Sequence, residues 1–113
     1  MLAPLYRQAV AFCLASREET FGRCVIEAMA CNTVCLVNDI PIMREITGGH
    51  AMIVNFQKTG AVTEALEKIS AGHPLIARLR TAGQAHVQQF TFEKLATERI
   101  TAIQRLLSAP HRA

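Results

Sequence analysis

The sequence predicts an α/β fold in which about three parallel strands are linked by crossover helices and followed by further helices at the C-terminal end. Short apolar segments alternate with segments of helical periodicity, an order that is typical of parallel sheets. The segment 34–37 is apolar at every position, as expected of a strand that is buried on both faces. Half of the 113 residues are hydrophobic, so the chain can build a core, and its length suits one domain spanning 1–113. Three strands make half of a doubly wound sheet, so we expect an open edge beside one of them.

The first six elements follow from apolar patterning and from residues that stop helices. In chain order they are a short helix at 2–8, a strand at 9–15, a helix at 21–31, a strand at 34–37, a helical turn at 42–46 and a strand at 51–55. The helix at 21–31 carries apolar residues at the i, i+3, i+4, i+7 and i+8 positions of one face, namely Phe21, Cys24, Val25, Ala28 and Met29. Asn32 follows, and Asn tolerates the left-handed conformation that ends many helices. Pro41 places Ile40 outside the helical region, so a loop precedes the helical turn, which Gly48 and Gly49 end.

Three further helices complete the predicted fold, each marked by apolar residues at helical spacing. The apolar positions are Val62, Ala65, Leu66 and Ile69 in the first helix, Leu75, Leu79, Ala82 and Phe90 in the second, and Phe92, Leu95, Ile103 and Leu106 on the inner face of the third. Gly72 and Pro74 end the first of these helices, and Thr91 is expected to cap the third at its N-terminus.

The charge pattern excludes some classes of partner. The net charge is only +3, and the basic residues are scattered singly rather than clustered on one segment, so no nucleic-acid partner is expected. The longest charge-free apolar run, 28–37, is far shorter than the ~20 residues that a membrane span needs. The N-terminus lacks the basic segment and the apolar stretch of a signal peptide. We therefore expect a cytoplasmic chain without an integral membrane segment; a longer parent protein could also lie at the periphery of the inner membrane.

The four cysteines show no metal-binding or redox spacing. Cys13, Cys24, Cys31 and Cys35 contain no C-x-x-C pair, and each has apolar neighbours in the sequence. We expect them to pack in the core as small hydrophobic residues. No histidine lies beside a candidate nucleophile, so neither a catalytic triad nor a metal site is expected.

The segment 16–34 holds the residues that indicate chemistry. Glu19 lies in the predicted loop at the carboxyl end of a strand, and Glu27 lies two turns into the next helix, ~12 Å further along its axis. That separation is too long for two carboxylates acting on one glycosidic bond, but it suits binding the two ends of an extended ligand. Between them, the free N–H groups at the helix start are a site for phosphate, and Gly22 lets the backbone approach a ligand closely. A sugar, a diphosphate and a ribose in a row would fit this arrangement.

The same segment resembles the E-x7-E region of retaining GT-B glycosyltransferases, especially the large group called family 4. Their pattern is a strand, S-x-x-E-x-F-G, an E-A-M-A-x-G-x-P-V run, a strand and a D-x-P-x-x-x-E loop. This chain supplies the matching residues Ser16, Glu19, Phe21, Gly22, Glu27, Ala28, Met29, Ala30, Asp39, Pro41 and Glu45, and its tail 90–107 resembles the closing F-S-W-E helix. Two positions depart from the pattern, because Asn32 stands where the family usually has Gly and Val34 where it has Pro. The resemblance implies a partial Rossmann-like fold, the latter half of the GT-B C-terminal, donor-binding domain.

The resemblance also implies the roles of the site residues. The family moves a hexose from a nucleoside-diphosphate sugar to a hydroxyl acceptor with retention, without a metal or another cofactor. Glu19 is then the catalytic residue and meets hydroxyls of the donor sugar, and Glu27 binds the ribose. The remaining donor-binding positions, which contact the diphosphate mainly through backbone N–H groups, are Thr20, Phe21, Gly22, Arg23 and Cys24. Asp39 and Glu45 are expected to cap loops rather than to touch the ligand.

Several interpretations stay open at the level of sequence. The resemblance leaves out the first half of the donor-binding domain, with the basic residues that clamp the diphosphate, and the whole acceptor domain. The chain is therefore expected to be a fragment, a short gene product, or one that takes its other half from another chain. One alternative function is a non-catalytic remnant that folds and self-associates through its open sheet edge. Another is a sugar-nucleotide epimerase of the same architecture.

Overall fold

Three parallel strands form one sheet in a computed structural model that describes residues 3–90 and 92–108. The strands are β1 (Phe12–Leu14), β2 (Cys35–Asn38) and β3 (Met52–Val54), in the order β1-β2-β3. Phe12 lies opposite Cys35, and Leu36 lies opposite Met52. The predicted α/β fold with three parallel strands is confirmed. Each strand is shorter than predicted or displaced by one residue, because only the central positions of the apolar segments take part in the ladder.

Six α-helices accompany the sheet. They are α1 (Ala3–Gln8), α2 (Arg23–Ala30), α3 (Pro41–Thr47), α4 (Ala61–Ser70), α5 (Pro74–His86) and α6 (Phe92–Ser108), with a short 3-10 helix at Val87–Phe90 before α6. Phe90, predicted in α5, lies in this 3-10 helix. The predicted cap at Thr91 falls outside the described residues. No helix within the described ranges is both long enough and apolar enough to cross a membrane.

The end of α2 confirms the role of Asn32. Its φ angle is 61°, in the left-handed region, where Asn is one of the few residues other than Gly that is tolerated. The Asn32 amide donates to the carbonyl of Met29 over 3.0 Å, and the Thr33 amide donates to that of Ala28 over 3.1 Å. This pair of bonds is the Schellman arrangement, which satisfies the last carbonyls of the helix and turns the chain into β2.

The strand β2 is buried on both faces, as predicted. On one face, Cys35 and Val37 belong to a core with Val25 of α2 and Met43 of α3. On the other face, Leu36 and the preceding Val34 belong to a second core with side chains of β3, α4 and α5, namely Met52, Ala65, Ile69 and Ile76. The sheet is therefore covered by helices on both sides of its central strand, which is the layered arrangement expected of parallel strands.

The predicted open edge is present on both sides of this sheet. β1 and β3 form the two edges, and within the described residues neither pairs with a fourth strand. Cys13, in the middle of β1, has an exposed side chain. Its neighbours Phe12 and Leu14 are half-buried.

Two predictions about burial are wrong in part. Cys35 is buried and Cys31 is half-buried, but Cys13 and Cys24 are exposed, since an edge strand and a one-sided helix bury only some of their apolar neighbours. On α6, Ile103 and Leu106 are 55% and 73% exposed rather than on an inner face. Every residue from 97 to 108 is exposed, so among the described residues no apolar face of this part of α6 is buried.

Candidate functional site

A left-handed glycine determines where α2 begins. Gly22 has φ 71° and ψ 43°, so the helix begins at Arg23 and not at Phe21 as predicted. A Cβ atom at Gly22 would lie 3.0 Å from Met43 Cε and 3.1 Å from Ile46 Cδ1 of α3. The glycine is therefore required by backbone conformation and by the close approach of α3. The amides at the helix start are those of Arg23 and Cys24, which have no acceptor within an α-helix.

Glu19 lies next to this turn in the loop after β1. Its side chain is half-buried, and its Oε1 accepts a hydrogen bond from the Thr20 amide over 3.2 Å. The Glu19 Cγ lies 3.8 Å from the position that a Cβ of Gly22 would take. The loop thus places this carboxylate beside the start of α2, as the sequence predicts.

Glu27 is exposed on α2 and is contacted by α1. The hydroxyl of Tyr6 donates a hydrogen bond to Glu27 Oε2 over 3.4 Å. Burial, and after it the proximity of Cys24 and Glu27, raises the pKa of Tyr6 above its usual value. Tyr6 therefore stays protonated at neutral pH and remains a donor to this carboxylate. The sequence analysis missed Tyr6, because no motif connects it with Glu27.

A cavity of 570 Å³ opens beside Glu27, between α2 and α6. Its lining residues are Phe21, Arg23, Ile26, Glu27, Phe90, Leu95, Ala96, Arg99 and Ile100. Such a volume lies in the range of small-molecule sites. Three of the predicted donor-binding residues, Phe21, Arg23 and Glu27, therefore share one cavity. The other four do not line it: they are Glu19, Thr20, Gly22 and Cys24.

The second wall of this cavity could not be predicted from the motif. The ring of Phe90 meets that of Phe21 edge to face, with 6.2 Å between centroids. Arg99 and Ile100 come from α6, more than seventy positions after Phe21. The amphipathic pattern of α6 indicated a helix, but it did not indicate which helix would lie opposite.

A second, polar cavity of 270 Å³ lies at the carboxyl ends of the three strands. Its lining residues are Arg17, Asn38, Asp39, Ile40, Asn55 and Gln57. The buried Asn38 joins the surrounding loops, because its Nδ2 donates to the Ser16 carbonyl over 3.3 Å and its Oδ1 accepts from the Phe56 amide over 3.0 Å. The edge where open α/β sheets bind ligands is thus held together by one amide side chain.

Asp39 forms an ion pair instead of the predicted loop cap. Its two carboxylate oxygens accept from Nε and Nη2 of Arg44 over 2.6 and 2.8 Å. These hydrogen bonds hold the pKa of Asp39 below its usual value. The N-terminus of α3 has no side-chain cap, since Ile40 occupies the cap position in an extended conformation. Over residues 3–90 and 92–108, no group of three His, Cys, Asp or Glu side chains could hold a metal ion.

Comparison with known sequences gives the decisive observation. The family described as Glycosyl transferases group 1 matches residues 2–86, which contain α1 to α5, the whole sheet and both glutamates. The chain belongs to this family. It represents the C-terminal region of a GT-B glycosyltransferase of group 1.

Named relatives support the assignment and show how much of them the chain covers. The chain is 28% identical over 110 residues to a D-inositol 3-phosphate glycosyltransferase of Gordonia bronchialis. This alignment covers 96% of the chain and 24% of that protein. It is 32% identical over 91 residues to the O-antigen chain mannosyltransferase RfbU of Salmonella typhimurium, covering 80% of this chain and 25% of that protein. The chain thus spans about a quarter of the length of these curated relatives. No solved structure matches it significantly.

Proposed function

We propose that this chain is the donor-binding region of a glycosyltransferase that transfers a hexose from a nucleoside-diphosphate sugar to a hydroxyl acceptor with retention. The observation that carries the proposal is the position of Glu27, exposed beside a 570 Å³ cavity that it shares with Phe21 and Arg23 of the same motif. Membership of the glycosyl transferases group 1 family supports glycosyl transfer as the reaction class. The named relatives include a mannosyltransferase, which agrees with a hexose donor.

In this proposal the donor extends along the start of α2. Glu27 accepts hydrogen bonds from the ribose hydroxyls, and Glu19 accepts them from the sugar as the catalytic residue. The diphosphate lies near the amides of Arg23 and Cys24, where unpaired N–H groups and the helix dipole favour negative charge. Thr20, Phe21 and Gly22 form the turn beneath it. The contribution to catalysis is electrostatic, because donors are already in place where charge develops on the leaving diphosphate. No metal or further cofactor is part of the proposal.

The two glutamates give separable effects that test the proposal. Glu27→Gln should weaken binding of UDP, GDP and their hexose conjugates about tenfold or more. A hydrogen bond to a charged group is worth ~1.5–3 kcal/mol, and a tenfold change in the dissociation constant corresponds to ~1.4 kcal/mol. Glu19→Gln should spare the bare nucleotides and weaken only the hexose conjugates. Titration calorimetry and NMR shift mapping would measure both effects.

A matched control is available on another helix. Glu64 lies exposed on α4, outside both cavities, so Glu64→Gln should leave every affinity unchanged. Equal effects of Glu19→Gln and Glu27→Gln on both ligand types would contradict the assigned roles. Shifts that cluster away from residues 16–27 would contradict the site.

A second candidate function rests on the unpaired sheet edges. A strand with free backbone N–H and C=O groups is a template for pairing with another chain, and β1 also exposes Cys13. On this proposal the chain folds and self-associates through β1 without carrying out chemistry. Light scattering would show a dimer or larger species together with no nucleotide binding. A monodisperse monomer that binds UDP or GDP would exclude it.

A further inference from the structure

The cavity beside Glu27 contains two guanidinium groups from different parts of the chain. Arg23 is the first residue of α2, and Arg99 lies on α6, and both line the same 570 Å³ space. We propose that the side chains of Arg23 and Arg99 together bind the diphosphate of the nucleotide; this rests on the proposed function and names the residues that meet its charge. The sequence motif assigns the diphosphate contacts mainly to backbone amides, and the two guanidinium groups add side-chain contacts to them.

Both guanidinium groups are available for a ligand. Across residues 3–90 and 92–108, neither Arg23 nor Arg99 has an ion-pair partner, whereas Arg44 is paired with Asp39. Both side chains are exposed, so no buried acceptor satisfies them. Among the residues that line this cavity, Glu27 carries the carboxylate. It accepts a hydrogen bond from Tyr6 and forms no ion pair with Arg23 or Arg99. The charged residues of the lining therefore leave one positive charge uncompensated, which favours an anion.

The chemistry of the lining suits a nucleoside diphosphate more than a simple anion. Arginine presents a planar fork of N–H donors that matches phosphate oxygens in pairs. The rest of the wall is apolar and aromatic: Phe21, Ile26, Phe90, Leu95, Ala96 and Ile100. Such a wall can cover a nucleobase, while Glu27 accepts hydrogen bonds from ribose hydroxyls. One cavity thus contains a partner for each of the three parts of the ligand.

Arg99 reaches this cavity from a part of the chain far from Arg23. It comes from α6 and lines the same cavity as Arg23, the first residue of α2. The two arginines are 76 positions apart in the sequence, so the pair exists only when α6 packs on this face.

Affinity for UDP against uridine tests the inference directly. Arg99→Gln and Arg23→Gln should each weaken UDP binding about tenfold, because hydrogen bonds between guanidinium and phosphate are charge-assisted. Uridine carries no phosphate, so its affinity should stay within twofold of that of the unmodified chain. Arg105→Gln is the matched control, since Arg105 is an exposed arginine of α6 outside the cavity, and it should change neither affinity. The same four chains should be compared with GDP and guanosine.

The outcomes separate this inference from the proposed function. An unmodified chain that binds neither UDP nor GDP nor their hexose conjugates overturns the proposed function and the inference with it. An unmodified chain that binds UDP or GDP, with both arginine variants within twofold of it, overturns the inference alone. Arg99→Lys and Arg23→Lys add a second readout, because they keep the charge and lose the fork, and should recover only part of the affinity. If a glutamine variant does not fold, inorganic pyrophosphate is added to the unmodified chain and the arginine side-chain Nε signals are followed by NMR. The inference requires that the signals of Arg23 and Arg99 shift and that the signal of Arg105 does not.

Discussion

The hydroxyl of Tyr6 and the carboxylate of Glu27 are joined by a hydrogen bond of 3.4 Å, which links α1 to the helix that carries the proposed ribose contact. Tyr6 is buried, and its ring packs edge to face on Phe12 of β1 with 5.6 Å between centroids. The carboxylate is thus restrained by a donor that is itself fixed against the sheet. This contact holds one oxygen of Glu27 and leaves the other for a ligand.

Removing this hydroxyl should cost little stability. The bond is long and only partly buried, so Tyr6→Phe is expected to lower the free energy of unfolding by no more than about 1 kcal/mol. Tyr6→Ala also removes the ring from the core and is expected to cost ~3–5 kcal/mol. Urea denaturation of the two variants measures both effects. Equal losses would show that the hydroxyl, and not the ring, holds α1 in place.

A comparison of two glycines separates backbone strain from packing. Gly22 and Gly72 both have left-handed φ angles, 71° and 67°, but a Cβ would meet Met43 and Ile46 at Gly22 and open space at Gly72. Gly72→Ala should therefore cost only the left-handed conformation, ~1–2 kcal/mol. Gly22→Ala should cost a further ~1–3 kcal/mol for overpacking against α3. The two free energies of unfolding measure the difference, and equal values would mean that α3 can move away from the turn.

The buried thiol of Cys35 should make stability depend on alkaline pH. Burial raises the pKa of Cys35 to about 12, whereas a thiol in the unfolded chain ionises near pH ~8.5. Between these values the unfolded state releases a proton that the folded state keeps, so stability is constant below the unfolded pKa and falls above it. The slope approaches ~1.4 kcal/mol per pH unit. Urea unfolding at pH 7.5 and 9.5 under reducing conditions would show the loss.

Cysteine variants identify the source of this slope. Cys35→Ala should remove most of the loss between the two pH values, although it lowers stability at both by leaving a cavity. The side chain of Cys13 is exposed, but partial desolvation on the sheet raises its pKa, so a smaller slope of the same sign should remain. Val34→Ala is the control, because it also leaves a cavity beside β2 but removes no titratable group, so it should leave the slope unchanged. An unchanged slope in Cys35→Ala would contradict the prediction.

The sequence predicted those parts of the fold that depend on local patterning. Uniform apolarity predicted a doubly buried β2, and Asn32 predicted the end of α2, because a strand period and a helix stop are both encoded within a few residues. The start of α2 was placed two residues early, since the apolar side chain of Phe21 continues the helical pattern while Gly22 breaks it through its backbone. The burial of Cys13, Cys24 and the end of α6 depends on which elements lie opposite, and no local pattern contains that information.

The candidate site also consists of residues that the sequence predicts and residues that it does not. Its motif half, Glu19 to Glu27, could be located because every residue lies in one loop and one helix. Its other half could not, since Phe90, Arg99 and Tyr6 reach the site only through the packing of the 3-10 helix, α6 and α1 around α2. Residues brought together from distant segments leave no common spacing in the sequence.

The positions of the three strands in the sequence also determine when the sheet can form during synthesis. Its strand pairs join residues only about twenty positions apart, and all of them lie within residues 12–54. During synthesis the three strands therefore emerge before α4 and α5, whose Ala65, Ile69 and Ile76 later cover Leu36 and Met52. At ~5–20 residues per second, the interval before Ile76 emerges lasts on the order of one to a few seconds. In that interval this apolar side of the nascent sheet lacks the cover that α4 and α5 later provide.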